Sequence, residues 1–230
     1  MYRYLFFDAD GTLFDFDEAE RRAMLLMGRE AGILFNDKHL DCYQRANLSC
    51  WKAFERGELT LSQLKTERFA RFNSACNLSL DPGESSRRYQ RELSRQGILY
   101  DDAIASLTQL KERGYTLYLA SNGIAEVQRG RIKEAGVAHF FDDIFISEEM
   151  GVQKPDVRFF AEMLQRTGLT EEKDACLMIG DSLTSDIRGG RESGLDTLWI
   201  NMKGENGPTP PPTYTITSLG EILGLLTAPR

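Results

Sequence analysis

The sequence predicts an α/β protein, with a doubly wound parallel sheet as a Rossmann-like core and an all-helical cap inserted into it. Short runs of apolar, β-prone residues recur along the chain, and helical patterns separate most of them. The alternation fails once, after the first run, where a long stretch shows helical periodicity and almost no strand pattern. The alternation therefore predicts the core, and its interruption predicts the cap.

Six apolar runs are predicted to be strands. Each is continuously apolar rather than alternating, which is typical of strands that a parallel sheet buries on both faces. In chain order the runs are 3–8, 115–121, 143–147, 175–180, 196–201 and, more weakly, 214–217. The helices of the core are predicted over 101–113, 124–136, 156–168 and 184–193.

The cap is predicted from four segments with amphipathic helical spacing that lie between the first two strands. These segments are 17–32, 37–56, 60–73 and 84–95. We therefore predict a cap over residues 16–97 and a core made of 1–15 and 98–230. Asp17 and Glu20 have the spacing of a capping box, which predicts the start of the first cap helix.

Composition excludes several classes of function. The 230 residues carry a net charge of −7 and a pI near 5.1, which argues against binding a nucleic acid polymer or an anionic membrane. No apolar run approaches the length of a membrane span. Four cysteines without CxxC spacing and two histidines argue against a zinc site and for free thiols. We expect a cytoplasmic monomer.

Polar side chains follow four of the predicted strands at the point where each strand ends. In chain order they are Asp8 and Asp10, then Ser121, Asn122 and Gly123, then Lys154, and finally Asp181 and Asp186. Ligands bind beyond the carboxyl ends of strands in open α/β sheets. If the first and fourth strands are neighbours, Asp8, Asp10 and Asp181 meet there. Their mutual repulsion predicts a hard divalent cation, preferably Mg2+.

Each of these motifs also has an ordinary structural explanation. D-x-D-G and Ser-Asn-Gly are common turns, Lys-Pro is common in surface loops, and Gly-Asp-Ser often begins a helix. The order of the motifs and their common edge favour a functional site over these separate explanations. Asp186 is the weakest member, because an aspartate on a helix face is often only solvated.

The motifs DADGT, LASNG, KPD and GDSLTSD resemble, in this order, those of the haloacid dehalogenase-like (HAD) phosphohydrolases. The resemblance extends over essentially the whole chain. The pattern FFDADGTLFDF with ISEEMGVQKPD and GDSLTSDIRGG is most similar to the pyrimidine 5'-nucleotidases with a helical cap. It implies a Mg2+-dependent phosphomonoesterase with an aspartyl-phosphate intermediate. The implied substrate is a nucleoside 5'-monophosphate, with pyrimidine or deoxyribose preferred.

The resemblance implies that Asp8 is the nucleophile and that Asp10 is the general acid and then the general base. The carboxylates of Asp8 and Asp181, with the backbone carbonyl of Asp10, would hold the Mg2+. An acid at position 10 also suits this chemistry, since an alkoxide leaving group needs a proton and a departing halide does not.

The remaining motif residues are expected to bind phosphate and to balance charge. The hydroxyl of Ser121 and the backbone N–H groups of Asn122 and Gly123 would bind phosphate oxygens. Lys154 would neutralise charge on the nucleophile and on the phosphoryl group. Asp186 would orient Lys154 or a metal-bound water.

Three residues are predicted to contact the organic part of the substrate: Asn47 and Trp51 in the cap, and Phe14 at the crossing into it. Trp51 would stack on a base, with Asn47 nearby. Because Trp51 and Phe54 are three residues apart, ordinary packing inside the cap explains them equally well.

Two alternatives remain open at this point. A sugar-phosphate phosphatase, a phosphoglycolate phosphatase or a phosphomutase would share the core motifs and differ in the cap. A phospho-accepting signalling module also uses aspartates, Mg2+, a hydroxyl and a lysine. Such modules resemble response-regulator receivers, which lack a helical insert and carry the phospho-accepting aspartate after a later strand. The third predicted strand here ends in Ser147 without one.

Overall fold

The computed structural model describes residues 2–226 and contains one sheet of six parallel strands. The strands are β1 Tyr4–Phe7, β2 Thr116–Ser121, β3 Asp143–Ile146, β4 Cys176–Gly180, β5 Asp196–Ile200 and β6 Tyr214–Ile216. Their order is β3-β2-β1-β4-β5-β6. The predicted strands and the predicted pairing of the first with the fourth are confirmed. The junction between β1 and β4 is the switch point of the sheet.

Ten α-helices surround and extend this sheet within residues 2–226. They are α1 Phe16–Glu30, α2 Asp37–Glu55, α3 Leu61–Cys76, α4 Pro82–Leu93, α5 Ala103–Glu112, α6 Ala125–Ala135, α7 Ser147–Met150, α8 Val157–Thr167, α9 Gly189–Glu192 and α10 Ile222–Leu225. The helix predicted over 184–193 is a π-helical turn, Leu183–Arg188, followed by α9. Within residues 2–226, every helix is too short or too polar to span a membrane.

Both faces of the sheet are buried, which explains why its strands are continuously apolar. Leu5 and Phe7 of β1 point to the face that α5 covers. Phe6 points to the opposite face, where it packs with Phe159 and Phe160 of α8. Successive residues of a strand face opposite sides, so a strand covered on both sides needs apolar residues at every position.

The four helices α1 to α4 form the cap and pack around a shared apolar cluster. Its centre contains the aromatic side chains of Tyr43, Phe69, Phe72 and Tyr89. The division that we propose from the sequence, 16–97 as cap, places all four helices in one unit. Helix α1 begins differently from the prediction. The Asp15 side chain accepts a hydrogen bond from the N–H of Glu18, and Asp17 and Glu20 do not form the predicted capping box.

Two antiparallel chain crossings connect the cap to the core and bond to each other. The N–H of Asp15 donates to the carbonyl of Ile98 at 3.1 Å, and the N–H of Tyr100 donates to the carbonyl of Leu13 at 3.0 Å. The crossings therefore form a short ribbon at the edge of the switch point.

The cap interior also holds a buried polar group. The Glu20 carboxylate accepts a hydrogen bond of 2.6 Å from Asn47, whose carbonyl oxygen accepts from Arg68 at 3.3 Å. Burial raises the pKa of Glu20 to about 7 and Asp17 adds to this effect, while Asn47 and Arg68 act in the opposite direction. The folded protein therefore holds this carboxyl group protonated at pH values where the unfolded chain ionises it.

We expect Glu20→Gln to remove a pH dependence of stability. Because the folded-state pKa of Glu20 lies above its ordinary value of 4.5, its contribution is present at low pH and is lost as the pH rises towards 7. From pH 5 to pH 8, the free energy of unfolding of the wild type should fall relative to that of Glu20→Gln by about 2–3 kcal/mol. Urea unfolding at both pH values measures this difference. A constant difference would contradict the prediction.

Candidate active site

The candidate site lies at the switch point, where β1 and β4 end side by side. The N–H of Asp8 donates to the carbonyl of Ile179 at 2.8 Å, which fixes the backbone of Asp8 beside β4. Gly11 has a φ of +78°, and a Cβ at this position would collide with the Asp181 carboxylate. Glycine therefore both permits the turn after β1 and lets it lie directly against Asp181.

Three carboxylates meet at this point. Asp8, Asp181 and Asp186 each place one oxygen so that all three lie within 4.8 Å of one another. The indole N–H of Trp199 donates to the backbone carbonyl of Asp181 at 2.9 Å and holds the turn after β4 in place. The structure thus brings together Asp8 and Asp181 of the predicted metal set and adds Asp186 to them.

The ammonium group of Lys154 is fully buried beneath these carboxylates. It donates to Asp8 at 2.7 Å, to Asp186 at 2.6 Å and to the carbonyl of Ala120 at 2.6 Å. All three hydrogen atoms of the ammonium group are therefore used, and Lys154 is fixed against both Asp8 and Asp186.

The charges of this group do not balance within the protein. Burial disfavours the charge of Lys154, but Asp186 and Asp8 outweigh it and raise the pKa of the ammonium group. Burial and the neighbouring carboxylates raise the pKa of Asp8, against the effect of Lys154, and raise that of Asp181 to about 7. One ammonium group faces three carboxylates, so the site favours an added cation. Oxygen donors of this kind fit Mg2+.

The side chain of Asp10 points away from this cluster and towards α6. One of its carboxylate oxygens accepts from Gln128 at 2.6 Å, and the other forms an ion pair with Arg131. Asp10 also lines a cleft beside Asp181, and its side chain is 29% exposed. The structure therefore corrects the expectation that all three carboxylates converge: Asp10 faces the cleft but is held from behind by α6.

The residues after β2 are close to the site but already hydrogen-bonded. The Ser121 hydroxyl accepts from Gln128 and from the N–H of Gly123, both at 3.0 Å. The Asn122 side chain bonds the backbone N–H and carbonyl of Lys154, at 2.9 and 2.7 Å. Asn122 thus positions the lysine, and the N–H of Gly123 is directed to Ser121 rather than outward.

Two predicted substrate contacts are wrong in this structure. Phe14 has no exposed surface and packs in the core beneath the guanidinium group of Arg131. Asn47 is buried inside the cap, where Glu20 and Arg68 use both ends of its amide. Neither burial could be inferred from the spacing of the residues.

Trp51 remains partly exposed, with its ring edge-on to Phe54 at 5.7 Å. The last turn of α2, which follows it, lies over the core: Gln153 donates to the carbonyl of Phe54 at 3.2 Å, and Thr184 donates to Glu55 at 3.2 Å. These contacts place the last turn of α2 against the loops that carry the site, one residue from Lys154 and three from Asp181.

Sequence reasoning missed Gln128, Arg131 and Trp199. Gln128 and Arg131 are three residues apart and lie on one face of α6, which begins just after the Ser-Asn-Gly motif. Two long polar side chains at that spacing on a helix that leaves the candidate site were the available signal. Nothing in the pattern of β5 distinguished Trp199 from an ordinary strand residue.

The comparisons with known proteins agree with this fold. The model of the haloacid dehalogenase-like hydrolase family matches residues 2–194. The chain therefore belongs to the haloacid dehalogenase-like hydrolase family.

Within this family, its relatives include two pyrimidine 5'-nucleotidases. PynA of Streptococcus pneumoniae is 39% identical over 98% of this chain and 95% of its own. YjjG of Escherichia coli is 30% identical over 97% of each chain. Among solved structures, the magnesium-bound HAD-hydrolase YfnB of Bacillus subtilis has a TM-score of 0.92 and 33% identity, covering 98% of this chain and 99% of YfnB. L-2-haloacid dehalogenase of Xanthobacter autotrophicus shares the fold, with a TM-score of 0.75, 18% identity and 98% coverage of each chain.

We expect Lys154→Met to destabilise the protein strongly, because it leaves Asp8 and Asp186 buried without their cation. Removing one partner of a buried ion pair costs about 3–5 kcal/mol, and urea unfolding without divalent metal measures the loss. Lys111→Met is the matched control, since it breaks an exposed pair with Asp142 and should cost less than about 1 kcal/mol. Equal losses in the two variants would contradict the assigned role of Lys154.

Proposed function

We propose that this protein is a Mg2+-dependent phosphomonoesterase that hydrolyses nucleoside 5'-monophosphates, with pyrimidine or deoxyribose nucleotides preferred. The observation that carries the proposal is the position of Asp8. Its carboxylate lies at the switch point, bonded to a buried lysine at 2.7 Å and beside two further carboxylates. A carboxylate held in this way can attack a phosphoryl group, whose negative charge needs cations close by.

In the first half of the reaction, a carboxylate oxygen of Asp8 attacks phosphorus and the bond from phosphorus to the ester oxygen breaks. Asp10 gives its proton to that oxygen, so the leaving group departs as an alcohol rather than as an alkoxide. The phosphoryl group is then bound to Asp8 as an acyl phosphate.

In the second half, Asp10 is a carboxylate and takes a proton from a water molecule. The water oxygen attacks phosphorus and the bond from phosphorus to Asp8 breaks, which releases orthophosphate. Asp8 is again ionised and Asp10 is again protonated, so both groups return to their starting forms.

The other residues hold and neutralise the phosphoryl group. Lys154 would neutralise negative charge beside Asp8 through both halves, and the hydroxyl of Ser121 would contact a phosphoryl oxygen. Asp8 and Asp181, with the backbone carbonyl of Asp10, would hold Mg2+, and Asp186 lies close enough to contribute a further oxygen. When bound, the ion would supply positive charge to the phosphoryl oxygens.

The substrate class is supported by the two relatives described as pyrimidine 5'-nucleotidases, one at 39% identity over nearly the whole chain. The partner is thus a small phosphorylated metabolite, and we propose that the enzyme acts as a cytoplasmic monomer. Space for the organic part of the ester lies in the cleft beside Asp10 and Asp181, which Phe16 at the start of α1 and Tyr100 also line.

Asp8→Asn should lower kcat on a pyrimidine nucleoside monophosphate by at least about a thousandfold, because an amide cannot form the acyl phosphate. In the wild type, a chelator should abolish turnover and added Mg2+ should restore it. Phosphate release measures both effects, and Asp142→Asn, an exposed aspartate outside the site, is the control.

Two outcomes would contradict this proposal. One is substantial activity of Asp8→Asn after mass spectrometry has excluded deamidation. The other is a panel of nucleotides, hexose phosphates and phosphoglycolate on which nucleotides are not preferred, or on which a hexose 1-phosphate is isomerised instead of hydrolysed.

Trp51→Ala should raise KM for nucleoside monophosphates by about tenfold, because stacking of one base on an aromatic ring contributes about 1–3 kcal/mol. KM for phosphoglycolate, an ester without a ring, should not change. Steady-state kinetics with both substrates measures the contrast. An unchanged KM for the nucleotide in a folded variant would show that the base does not stack on Trp51.

A further inference from the structure

The helix α6 holds Asp10 by two side chains, one on each carboxylate oxygen. Gln128 donates to one oxygen at 2.6 Å, and Arg131 pairs with the other. The cleft lies on the open side of the same carboxylate. Asp10 is therefore held from behind and presented to the space where a leaving group would lie.

Gln128 connects Asp10 to the predicted phosphate contact. The same side-chain N–H2 group that donates to Asp10 also donates to the Ser121 hydroxyl at 3.0 Å. Gln128 is almost fully buried and packs directly against the backbone of Gly123, where a Cβ would collide with it. One amide thus sets the distance between Asp10 and the end of β2.

Arg131 connects Asp10 to both cap crossings. The side chain is fully buried, and its Nε donates to the carbonyl of Gln96 in the second crossing at 3.2 Å. Its guanidinium group lies over the ring of Phe14 at 4.8 Å and over that of Phe16, the first residue of α1, at 5.6 Å. A single side chain therefore contacts Asp10, the entry to the cap and the return from it.

The second crossing rests directly on α6, so Arg131 and the crossing are closely packed. A Cβ at Gly97 would collide with the backbone of Ala135, and a Cβ at Gly130 would collide with the backbone of Ser94. Because Arg131 donates to the carbonyl of Gln96 beside these close approaches, the crossing cannot separate from α6 without breaking that hydrogen bond.

We propose that Gln128 and Arg131 are positioning residues for Asp10, and that Arg131 ties the position of this acid and base to the cap crossings. The proposal rests on the proposed function, since it assigns Asp10 the proton transfer to the leaving oxygen. Neither side chain is required to touch the substrate. Each acts through Asp10, and Gln128 also fixes Asp10 relative to Ser121.

The test compares leaving groups, because a poorly placed acid harms only departures that need a proton. In Arg131→Met, kcat/KM for a nucleoside 5'-monophosphate should fall at least about tenfold more than kcat/KM for 4-nitrophenyl phosphate, whose phenolate leaves without protonation. This ratio is informative because kcat/KM covers only the steps up to departure of the leaving group. Arg131→Lys should recover part of the nucleotide activity.

A double-mutant cycle with Asp10→Asn then shows whether Arg131 acts through Asp10. Adding Arg131→Met to Asp10→Asn should cause no further loss of nucleotide kcat/KM, since the group that Arg131 positions is already disabled. Arg129→Met on the same helix is the matched control. Its side chain is about half exposed and pairs with Glu149, so both kcat/KM values should stay at the wild-type level.

Thermal melting and near-ultraviolet circular dichroism establish that each variant is folded. If Arg131→Met does not fold, Gln128→Met replaces it. The comparison of the two esters and the double-mutant cycle with Asp10→Asn then test whether Gln128 acts through Asp10. Equal losses of kcat/KM on the two esters would overturn this inference and leave the proposed function standing. A further loss of kcat/KM when Arg131→Met is added to Asp10→Asn would do the same. A wild-type protein that hydrolyses no ester would overturn the proposed function, and this inference with it.

Discussion

The contact on which the site depends is the buried ammonium group of Lys154 between Asp8 and Asp186. A carboxylate in an apolar interior is stable only with a partner of opposite charge, and Lys154 supplies one charge to a group of three carboxylates. Asn122 fixes the backbone of Lys154, and the carbonyl of Ala120 takes its third hydrogen bond. β1, β2 and β4 must therefore be in register before the charges can be buried together.

The remaining excess of negative charge gives the site its chemical character. Burial disfavours the ionised forms of Asp8 and Asp181, and the excess of negative charge adds to this effect and favours any cation that reaches them. A divalent metal bound to their oxygens would relieve the part of the effect that comes from repulsion. Metal binding and ionisation of Asp8 are therefore linked, because each makes the other more favourable.

Much of this architecture could be predicted from the sequence, since the apolar runs and the polar residues that end them are local features. The sheet, the helical insertion and the meeting of Asp8 with Asp181 followed from them. What failed depends on tertiary packing. Spacing could not show that Asp10 turns towards α6 or that Phe14 and Asn47 are buried. The N-cap at Asp15 differs by two residues, a shift that only backbone geometry decides.

The ribbon formed by the two crossings connects the cap to the side chain that holds Asp10. Backbone hydrogen bonds at Asp15 and Tyr100 tie the entry and return segments to each other. Arg131 contacts both segments, through the ring of Phe16 and the carbonyl of Gln96, and it pairs with Asp10. A change in the angle between cap and core would therefore also alter the position of the Asp10 carboxylate, because one side chain contacts all three.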